Sequence, residues 1–362
     1  MRKIIFVLEQ ISQPRCIKRI ESIKKCGIPF EAWGFDKNIY NTNVQNRSIH
    51  FNIFKHQPSI KGKLYTFYLR WKCVYNLIRK SNKNDTFYLF GFDIALITLL
   101  SLKNIKYIYE ESDITYAGRN KFLFYILRYI DKRIRKKSLF TIFTSEGFVQ
   151  YFYKNKTIPS NILVHPNKLH PSIANYERKI STIEDTRKLK FGFIGLIRYK
   201  TIFNFARVIG ENYPHHEFHF WGGGWHQNQV EDLTKKYNNI LYHGEFKSPT
   251  DLKSIYSQID ILVACYDTSN FNTRVAEPNK LYEAMFFCKP IIVSKGTYIE
   301  KKVLEGGIGY SVDASQEINI KELIDKLSIE AINKILQQEI NINVNDIIDD
   351  FSAICHLIKS KL

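Results

Sequence analysis

Short apolar segments alternate with longer amphipathic segments along nearly the whole chain, and this alternation constrains the fold more than any other feature. Ile4–Leu8 and Thr86–Phe90 have the length and composition of buried strands. Segments such as Lys63–Arg79 instead space their apolar residues as a helix does. Alternation of this kind is typical of βαβ units, in which helices connect neighbouring strands of a parallel sheet. We therefore predict an α/β fold.

The pattern predicts two series of strands and helices. In the first half, strands are predicted at Ile4–Leu8, Phe30–Phe35, His50–Phe54, Thr86–Phe90, Lys106–Glu110, Phe140–Thr144 and Ile162–His165. Helices are predicted there at Pro14–Cys26, Lys63–Arg79, Asp93–Ser101, Asn120–Lys137 and Glu146–Tyr153. In the second half, strands are predicted at Leu189–Ile194, Glu217–Trp221, Ile240–His243, Ile261–Ala264, Pro290–Val293 and Gly309–Val312. Helices are predicted at Ile202–Gly210, Gln227–Tyr237, Asp251–Ile259, Asn279–Phe287, Tyr298–Leu304 and from Glu317 onward.

A polar stretch without clear periodicity, residues 170–188, separates the two series and is the predicted linker. We place one Rossmann-like doubly wound domain at residues 1–175 and a second at 186–340. Residues 341–362 are predicted to form a C-terminal helix, a candidate for packing back on the first domain. Such sheets bind ligands outside the carboxyl ends of their strands, so a ligand is expected in a central cleft that both domains face.

Composition excludes several classes of protein. With 362 residues and 44% hydrophobic residues, the chain is neither disordered nor a small disulfide-stapled module. Its six cysteines are scattered without a C-x-x-C pair, which suits packing in a reducing compartment. No run of apolar residues approaches the roughly 20 that are needed to span a bilayer. The apolar stretch at the N-terminus is also too short for the hydrophobic region of a signal peptide. We expect a cytoplasmic protein.

The basic charge lies almost entirely in the first half of the chain. Residues 1–190 contain 35 Lys and Arg against 14 Asp and Glu, a net charge of +21, whereas the remainder is at −3. The basic residues form two helical clusters, Arg15/Lys18/Arg19/Lys24/Lys25 and Arg128/Lys132/Arg133/Arg135/Lys136/Lys137. An anionic membrane surface or a phosphorylated acceptor fits this asymmetry, and a merely solvated face is the alternative. No nucleic acid partner is predicted, because no recognisable reader motif is present.

Residues 276–294 carry the most specific chemical signal. They predict a loop that turns into a helix at Asn279 and is followed by a buried strand. A helix N-terminus offers unpaired N–H groups and a positive dipole end, which favour a phosphate. Glu283, one turn into this helix, is positioned to accept hydrogen bonds from a ribose diol.

In the sequence from Pro278 to Met285, PNKLYEAM, and from Cys288 to Ser294, CKPIIVS, the chain resembles the donor-site signature of GT-B glycosyltransferases, especially retaining family 4. Phe191–Lys200 is similar to the strand and basic turn that open the nucleotide-sugar domain of this family, and Leu241–Phe246 also matches. The resemblance covers most of residues 188–313 and only the layout of the first half. It implies two tandem Rossmann-like domains of the GT-B type.

Transferred to this sequence, the resemblance implies a complete donor site. Glu283 would bind the ribose, and Arg198 with Lys200 the diphosphate. The backbone around Leu281 and Tyr282 would meet the terminal phosphate, and Gly244–Phe246 would line the base pocket. Further donor-site candidates are Gly195, Gly222, Asn279 and Lys280. Metal independence is typical of the family, so no metal and no other cofactor is expected.

One position departs from the family pattern. Family 4 usually carries two glutamates eight positions apart, and eight positions before Glu283 this chain has Val275. Either Glu277 substitutes as a catalytic acid through a different loop path, or the first acid is absent. Retention of the anomeric configuration is expected by resemblance.

In the first half, acidic residues follow two predicted strands. Glu111 and Asp113 lie at or beyond the end of one strand, where either could act as the general base on an acceptor hydroxyl. A helix-capping Asp and a solvated Glu are the structural alternative. Asp93, after another strand, and Arg15, at the first helix, are the acceptor-site candidates, although Arg15 could equally be a plain helix-start cation.

Two further patterns carry weaker chemical signals. The glycine-rich turn Trp221–Trp225 does not fit a dinucleotide fingerprint and is predicted to be a tight turn beside the site. The run His215–His219 suggests a metal site, but strand alternation separates His216 from His219, so a metal role is disfavoured.

The sequence thus predicts a glycosyltransferase that transfers a sugar from a nucleotide diphosphate sugar to a glycan or a polyprenyl-pyrophosphate-linked acceptor. It would rest on the inner face of the cytoplasmic membrane through its basic first domain. The abundance of Ile, Lys and Asn is associated with AT-rich bacterial genomes, hence with capsule or related surface polysaccharide synthesis. A nucleotide-sugar 2-epimerase of the same fold and a catalytically silent binding subunit are the alternatives.

Overall fold

In the computed structural model, which describes residues 2–36, 49–54, 62–101 and 104–362, strands and helices follow one another in the predicted order. The two predicted parallel sheets are both present, which confirms the α/β fold class. Five strands span the predicted residues, namely Ile4–Leu8, Thr86–Phe90, Glu217–Trp221, Ile261–Ala264 and Gly309–Val312. The chain divides into one unit of Met1–Asn167 with Asp350–Leu362 and a second unit of Lys168–Asp349.

The first unit contains a parallel sheet of seven strands among the described residues, in the order β3-β2-β1-β4-β5-β6-β7. Its strands are β1 (Ile4–Leu8), β2 (Phe30–Gly34), β3 (Phe51–Ile53), β4 (Thr86–Phe90), β5 (Lys106–Glu111), β6 (Phe140–Phe143) and β7 (Ile162–Val164). Its helices to this point are α1 (Pro14–Lys25), α2 (Lys63–Lys80), α3 (Phe92–Leu99), α4 (Lys121–Lys137) and α5 (Glu146–Tyr153).

The second unit contains a parallel sheet of six strands, in the order β10-β9-β8-β11-β12-β13. Its strands are β8 (Lys190–Ile194), β9 (Glu217–Trp221), β10 (Ile240–Tyr242), β11 (Ile261–Ala264), β12 (Ile291–Ser294) and β13 (Gly309–Val312). Its helices are α6 (Lys200–Asn212), α7 (Gln227–Lys236), α8 (Leu252–Tyr256), α9 (Phe271–Val275), α10 (Asn279–Phe287), α11 (Tyr298–Glu305), α12 (Glu317–Asp325), α13 (Ile329–Ile340) and α14 (Val344–Ile347).

Both faces of the second sheet are buried, which explains why its strands are apolar without interruption. Phe191 and Phe193 of β8 pack into the core on one face of the sheet, together with Phe205 of α6. Ile194, one position further along β8, packs on the other face with Leu281 of α10. Successive side chains of a strand point to opposite faces, so a strand covered by helices on both sides needs apolar residues at every position.

The C-terminal stretch differs from the single helix predicted for residues 341–362. After α14 the chain is extended, and Asp349 donates its backbone N–H to the Leu169 carbonyl at 2.8 Å, while Leu169 donates to Ile347 at 3.0 Å. This pairing interrupts the helix. A second helix, α15 (Ser352–Lys361), follows and packs Ile358 into the core of the first unit beside α1.

One arginine of the second unit satisfies the ends of two helices. The Arg178 guanidinium donates to the carbonyls of Met285 at 2.9 Å and Phe286 at 3.2 Å near the end of α10. It also donates to Glu339 and, at 2.7 Å, to Ile342 around the end of α13. The last carbonyls of a helix have no partner within the helix, so a planar cation with several N–H groups can join two such ends.

We predict that Arg178→Ala lowers the free energy of unfolding of the second unit by roughly 2–4 kcal/mol, because part-buried carbonyls lose their donors. Urea unfolding followed by circular dichroism measures this change. Arg187→Ala is the control, since Arg187 forms an exposed ion pair with Asp185 and its loss should leave the unfolding midpoint unchanged. Equal midpoints for both variants would contradict the role given to Arg178.

Candidate functional site

The strand order of the second unit brings two segments together at the carboxyl edge of its sheet. β8 is flanked by β9 on one side and β11 on the other, so the winding of the sheet reverses there. α/β sheets bind ligands at such a switch point, outside the carboxyl ends of the strands. The turn after β8, residues 195–199, and the loop after β11, residues 265–278, both leave the sheet at this edge. The candidate donor site is built on these two segments.

Glycines allow the turns at this edge to approach closely. Gly195 donates its N–H to the Trp221 carbonyl at 2.9 Å, and Gly222 donates to the Gly244 carbonyl at 2.7 Å. A Cβ on Gly222 would lie 1.9 Å from the Gly195 carbonyl oxygen, and the φ of Gly222, +135°, is one that side chains rarely adopt. The three glycines predicted for the donor site therefore lie together.

The start of α6 carries the two cations predicted to bind the diphosphate. Arg198 and Lys200 are both exposed, and Arg198 donates to the Tyr199 hydroxyl at 2.6 Å. The backbone N–H groups of Lys200 and Thr201 donate to the Asp267 carboxylate at 3.0 and 3.1 Å. The backbone at this helix end thus already has an anionic partner, while the two cationic side chains extend towards solvent.

Glu283 lies one turn into α10, as predicted, and only 1% of it is exposed. Its carboxylate accepts hydrogen bonds from the Tyr256 hydroxyl at 2.8 Å and the Asn279 amide at 2.8 Å. Lys280 Nζ lies 2.5 Å from Oε2 of the same carboxylate. Burial, and then the negative charge of Glu283, raises the pKa of Tyr256 well above its ordinary value, so this hydroxyl keeps its proton and donates. Three donors therefore fix the orientation of the carboxylate.

Lys280 of α10 lies beside both the turn after β8 and the loop after β10. Its ammonium lies 5.6 Å from the centroid of the Phe246 ring, in the loop predicted to line the base pocket. Its Cε lies 3.9 Å from the point where a Cβ on Gly195 would be. Five predicted donor-site residues, Gly195, Phe246, Asn279, Lys280 and Glu283, are thus neighbours in the second unit.

Tyr266, which the sequence reasoning missed, packs against the same group. Its ring centroid lies 4.6 Å from that of Tyr199, next to Arg198. Burial raises the pKa of Tyr266 well above its ordinary value, and the charges of Glu283 and Arg198 act on it with opposite sign. Tyr266 therefore lies close to both charged side chains.

Glu277 is held apart from these residues. Its side chain has no exposed surface, and it accepts hydrogen bonds from the Tyr282 hydroxyl and from Lys302 of α11, the latter at 2.7 Å. Tyr282 is itself buried at 4% exposure, and Leu281 at 0%. The Leu281 N–H donates to the Pro278 carbonyl at 3.2 Å. These contacts favour a structural role for Glu277, in which it fastens the start of α10 to α11, and its catalytic role stays a prediction.

The histidine run forms a stacked cluster. His219 Nδ1 lies 3.0 Å from His243 Nε2, and His219 Nε2 lies 2.9 Å from Glu217. The Trp221 and His243 rings stack at 4.3 Å. His216 instead accepts from the Leu189 N–H at 3.3 Å. In the part of the chain that the structure describes, no group of three or more His, Cys, Asp and Glu side chains could hold a metal ion. Metal independence stays a prediction.

In the first unit, Arg15 belongs to a buried charge network. Glu110, at the end of β5, has no exposed surface and lies 3.0 Å from Arg19 Nε and 3.5 Å from Arg15 Nε. The Tyr88 hydroxyl also donates to it. Burial by itself would raise the pKa of Glu110, but the two guanidiniums and the hydroxyl outweigh it and hold this pKa below its ordinary value. Arg15 thus has an internal anionic partner, and its contact with an acceptor stays a prediction.

Glu111, the proposed general base, is buried without exposed surface. Its carboxylate lies 3.5 Å from Arg135, which also pairs with Asp131. Burial and then the nearby Asp131 raise the pKa of Glu111 well above its ordinary value. A solvated carboxylate does not fit this position, because Glu111 has no exposed surface, and its role as general base stays a prediction. The observed contacts favour a structural role for Glu111.

Asp113 and Asp93 lie on the surface of the same edge. Asp113 is exposed and accepts a hydrogen bond from the Ser112 hydroxyl at 3.3 Å. Asp93, in the first turn of α3, accepts from the Thr115 hydroxyl at 3.0 Å. Because Thr115 is only two residues beyond Asp113, the two carboxylates are placed near one another at the ends of β4 and β5.

The sequence of the second unit matches a known family. Residues 176–343 match the family described as glycosyl transferases group 1. The chain is therefore similar to the group 1 glycosyltransferases over these residues. No curated protein matches the chain in sequence.

Solved structures share the fold of this chain over its whole length. Anabaena HepE, in complex with UDP and glucose, has a TM-score of 0.72 and 14% identity, covering 100% of this chain and 99% of its own. Sucrose-phosphate synthase from Thermosynechococcus elongatus has a TM-score of 0.72 and 12% identity, covering 99% and 98%. The lipopolysaccharide outer core galactosyltransferase WaaB has a TM-score of 0.61 and 14% identity, covering 99% and 100%. The two sheets and this likeness confirm the GT-B fold.

Within the second unit, the sequence predicted the residues that the signature supplies but not the residues that hold them in place. Tyr256, Asp267 and Lys302 contact predicted site residues, yet each lies in a different element from its partner. No spacing in the sequence marks these three residues, because the contacts form only when α8, α10 and α11 pack on the sheet.

We predict that Glu110→Gln destabilises the first unit by about 3 kcal/mol at pH 7, since the buried guanidinium of Arg19 and the largely buried one of Arg15 lose their anionic partner. The Glu110 pKa in the folded state is below its ordinary value of about 4.5, so this contribution is complete above that pH and is lost as the pH falls through the folded pKa. Urea unfolding at pH 7, 5 and 3.5 measures this contribution. The difference in the free energy of unfolding between wild type and variant should be smallest at pH 3.5.

Glu177→Gln is the control for this series, because Glu177 forms an exposed ion pair with Lys179. We expect a small effect at every pH. A wild-type advantage over Glu110→Gln that is as large at pH 3.5 as at pH 7 would show that the lost stability does not come from the ionised carboxylate.

Proposed function

We propose that this protein transfers a sugar from a nucleotide diphosphate sugar to a glycan or a lipid-linked oligosaccharide, with retention of configuration, in bacterial surface polysaccharide synthesis. The observation that carries the proposal is the grouping of Glu283, Asn279 and Lys280 on the first turns of α10, beside the Gly195 turn. Such a group combines a carboxylate for a ribose diol with cations for a diphosphate. That Anabaena HepE binds UDP and glucose supports a nucleotide-sugar donor.

In the proposed reaction, the bond between the sugar C1 and the diphosphate oxygen breaks, and its electron pair stays on that oxygen. The acceptor hydroxyl oxygen forms the new bond to C1, and its proton passes to the departing phosphate or to a carboxylate. Glu283 holds the ribose, and Arg198 and Lys200 stabilise the charge that develops on the diphosphate. These cations take the place of a metal ion in the proposal. The 244–246 loop contacts the base.

The first unit is proposed to bind the acceptor at the carboxyl edge of its sheet. The exposed Asp113 and the half-buried Asp93 are the candidates for orienting or deprotonating the acceptor hydroxyl. Arg15 contacts Glu110 through Nε, and 12% of its side chain is exposed. Its remaining guanidinium N–H groups would bind an acceptor phosphate.

We further propose that α4 rests on an anionic bilayer at the inner face of the cytoplasmic membrane. Five large apolar side chains on this helix are exposed, and four of them are spaced to lie on one face: Phe122 (78%), Tyr125 (66%), Ile126 (41%) and Tyr129 (58%). Exposed basic residues continue along the helix: Lys132, Arg133, Lys136 and Lys137. Such a combination of apolar and cationic groups is typical of interfacial helices. Among the described residues, no helix is both long and apolar enough to cross a membrane.

The second predicted basic cluster supplies less surface charge than its composition indicates. Lys18 and Arg19 of α1 are buried, Lys18 donates to the Asn167 side chain at 2.9 Å, and Arg19 pairs with Glu110. Lys24 and Lys25 are exposed at the end of this helix. Two clusters of similar composition thus differ in how much charge they present, and α4 is the stronger membrane candidate.

The donor assignment predicts selective stabilisation by one nucleotide. UDP, GDP, ADP and CMP are added at millimolar concentration, and the thermal midpoint of unfolding is measured. A ligand present at 100 times its dissociation constant adds about 2.7 kcal/mol to the stability of the folded state. We expect one nucleotide to raise the midpoint of the wild type and to raise that of Glu283→Gln much less, because the amide replaces a carboxylate acceptor for the ribose.

Glu339→Gln is the matched control, since Glu339 is another fully buried carboxylate of the second unit, near the end of α10 rather than its start. Its response to the nucleotide should equal that of the wild type. If the wild type responds to none of the four nucleotides, the transferase proposal fails. An equal response of wild type and Glu283→Gln would remove Glu283 from the donor site.

The membrane assignment predicts a dependence on the basic part of α4. The variant with Lys132, Arg133, Lys136 and Lys137 all changed to Glu should lose binding to vesicles rich in anionic phospholipid, because each cation near such a surface contributes about 1 kcal/mol. Vesicle sedimentation measures this binding. The control changes Lys235, Lys236, Lys301 and Lys326 to Glu, four lysines exposed in the second unit. Equal binding of both variants would mean that α4 is only a solvated face.

A further inference from the structure

We propose that the side chain of Lys280 binds the diphosphate of the donor directly. Without the donor, its ammonium contacts Glu283; with the donor bound, the same ammonium also contacts the diphosphate. This inference rests on the proposed donor site. It assigns to a residue of α10 a charge-stabilising role that the signature gives to the turn after β8.

The burial of Lys280 is the first observation. Only 7% of the residue is exposed, although an ammonium loses hydration strongly on burial and needs compensation. Its hydrogen bonding to other described residues uses one acceptor, Oε2 of Glu283. An ammonium has three N–H donors, so the side chain keeps capacity for a second anionic partner.

Glu283 does not depend on Lys280 for its orientation. The Asn279 amide donates to one of its oxygens and the Tyr256 hydroxyl to the other, each at 2.8 Å. Both donors are neutral groups, and neither of these hydrogen bonds involves Lys280. Lys280 can therefore turn towards a phosphate while the carboxylate remains fixed for the ribose.

The surroundings of Lys280 point to an anion at this edge. The lysine passes the Gly195 backbone, where no side chain separates it from the turn that carries Arg198, and its ammonium faces the Phe246 ring at 5.6 Å. A diphosphate placed beside this turn would contact Lys280 of α10 and Arg198 of the turn itself. Two cations from different elements would then hold it without a metal.

Affinity for a nucleotide series tests the assignment. UDP, UMP and uridine are titrated by calorimetry into the wild type and into the variants Lys280→Met, Lys280→Arg and Glu283→Gln. If a guanine or adenine nucleotide gives the thermal shift instead, the matching series of that base is used. Lys280→Met should weaken UDP about 10- to 100-fold, the loss expected for a charge-assisted hydrogen bond, and leave uridine within about twofold. Lys280→Arg should retain most of the UDP affinity. Glu283→Gln should weaken UDP and uridine alike.

Lys301→Met is the control for the loss of one positive charge, because Lys301 forms an exposed pair with Glu305 in the same unit. It should leave both affinities unchanged. An unchanged ratio of UDP to uridine affinity in Lys280→Met would overturn this inference while leaving the donor site intact. Absence of nucleotide binding by the wild type would instead overturn the proposed function, and the role of Lys280 with it. If Lys280→Met does not fold, Lys280→Gln supplies the same ratio.

Discussion

The central strands of each parallel sheet are buried on both faces, and the placement of the charged groups of the candidate site follows from that burial. A strand such as β8 contributes side chains to the core on one face and, one residue later, to the core on the other. Charged groups are costly in such a layer unless they are paired, so chemistry is confined to the edges where strands end. The turn after β8 and the loop after β11 leave the sheet at one edge, and this gives the second unit its candidate site.

The buried carboxylates follow the same rule, and their pairing separates structural acids from candidate functional ones. Glu110 is neutralised by two arginines, and Glu277 is held by a lysine and a tyrosine. Glu283 is similar in burial, but two of its three donors are neutral and its third, Lys280, borders the glycine turn. Glu277 and Glu283 are six positions apart in sequence, yet Glu277 is fastened to α11 and Glu283 belongs to the edge of the sheet.

Much of the fold could be predicted from sequence, because strands buried on both faces and amphipathic helices leave strong local patterns. Elements were missed where a long-range contact decides the local conformation. The predicted C-terminal helix is interrupted because Asp349 pairs with Leu169, which lies 180 residues earlier. The composition of α1 predicts an exposed basic surface, but Lys18 and Arg19 are buried. Composition alone does not reveal which side of a helix its basic residues occupy.

By itself the sequence determined the two α/β units, the order of strands and helices along the chain, and the signature on α10. Each of these features depends on residues that are close together in the chain. Only the tertiary structure decided which of those residues meet. Whether Glu111 reaches solvent, and whether Glu277 faces the site or α11, depends on helices packing over strands that are distant in sequence. The same packing brings Tyr256 and Asp267 to residues far away in the chain. Hydrogen bonds of this kind have no local spacing, because their geometry exists only after the sheet has formed.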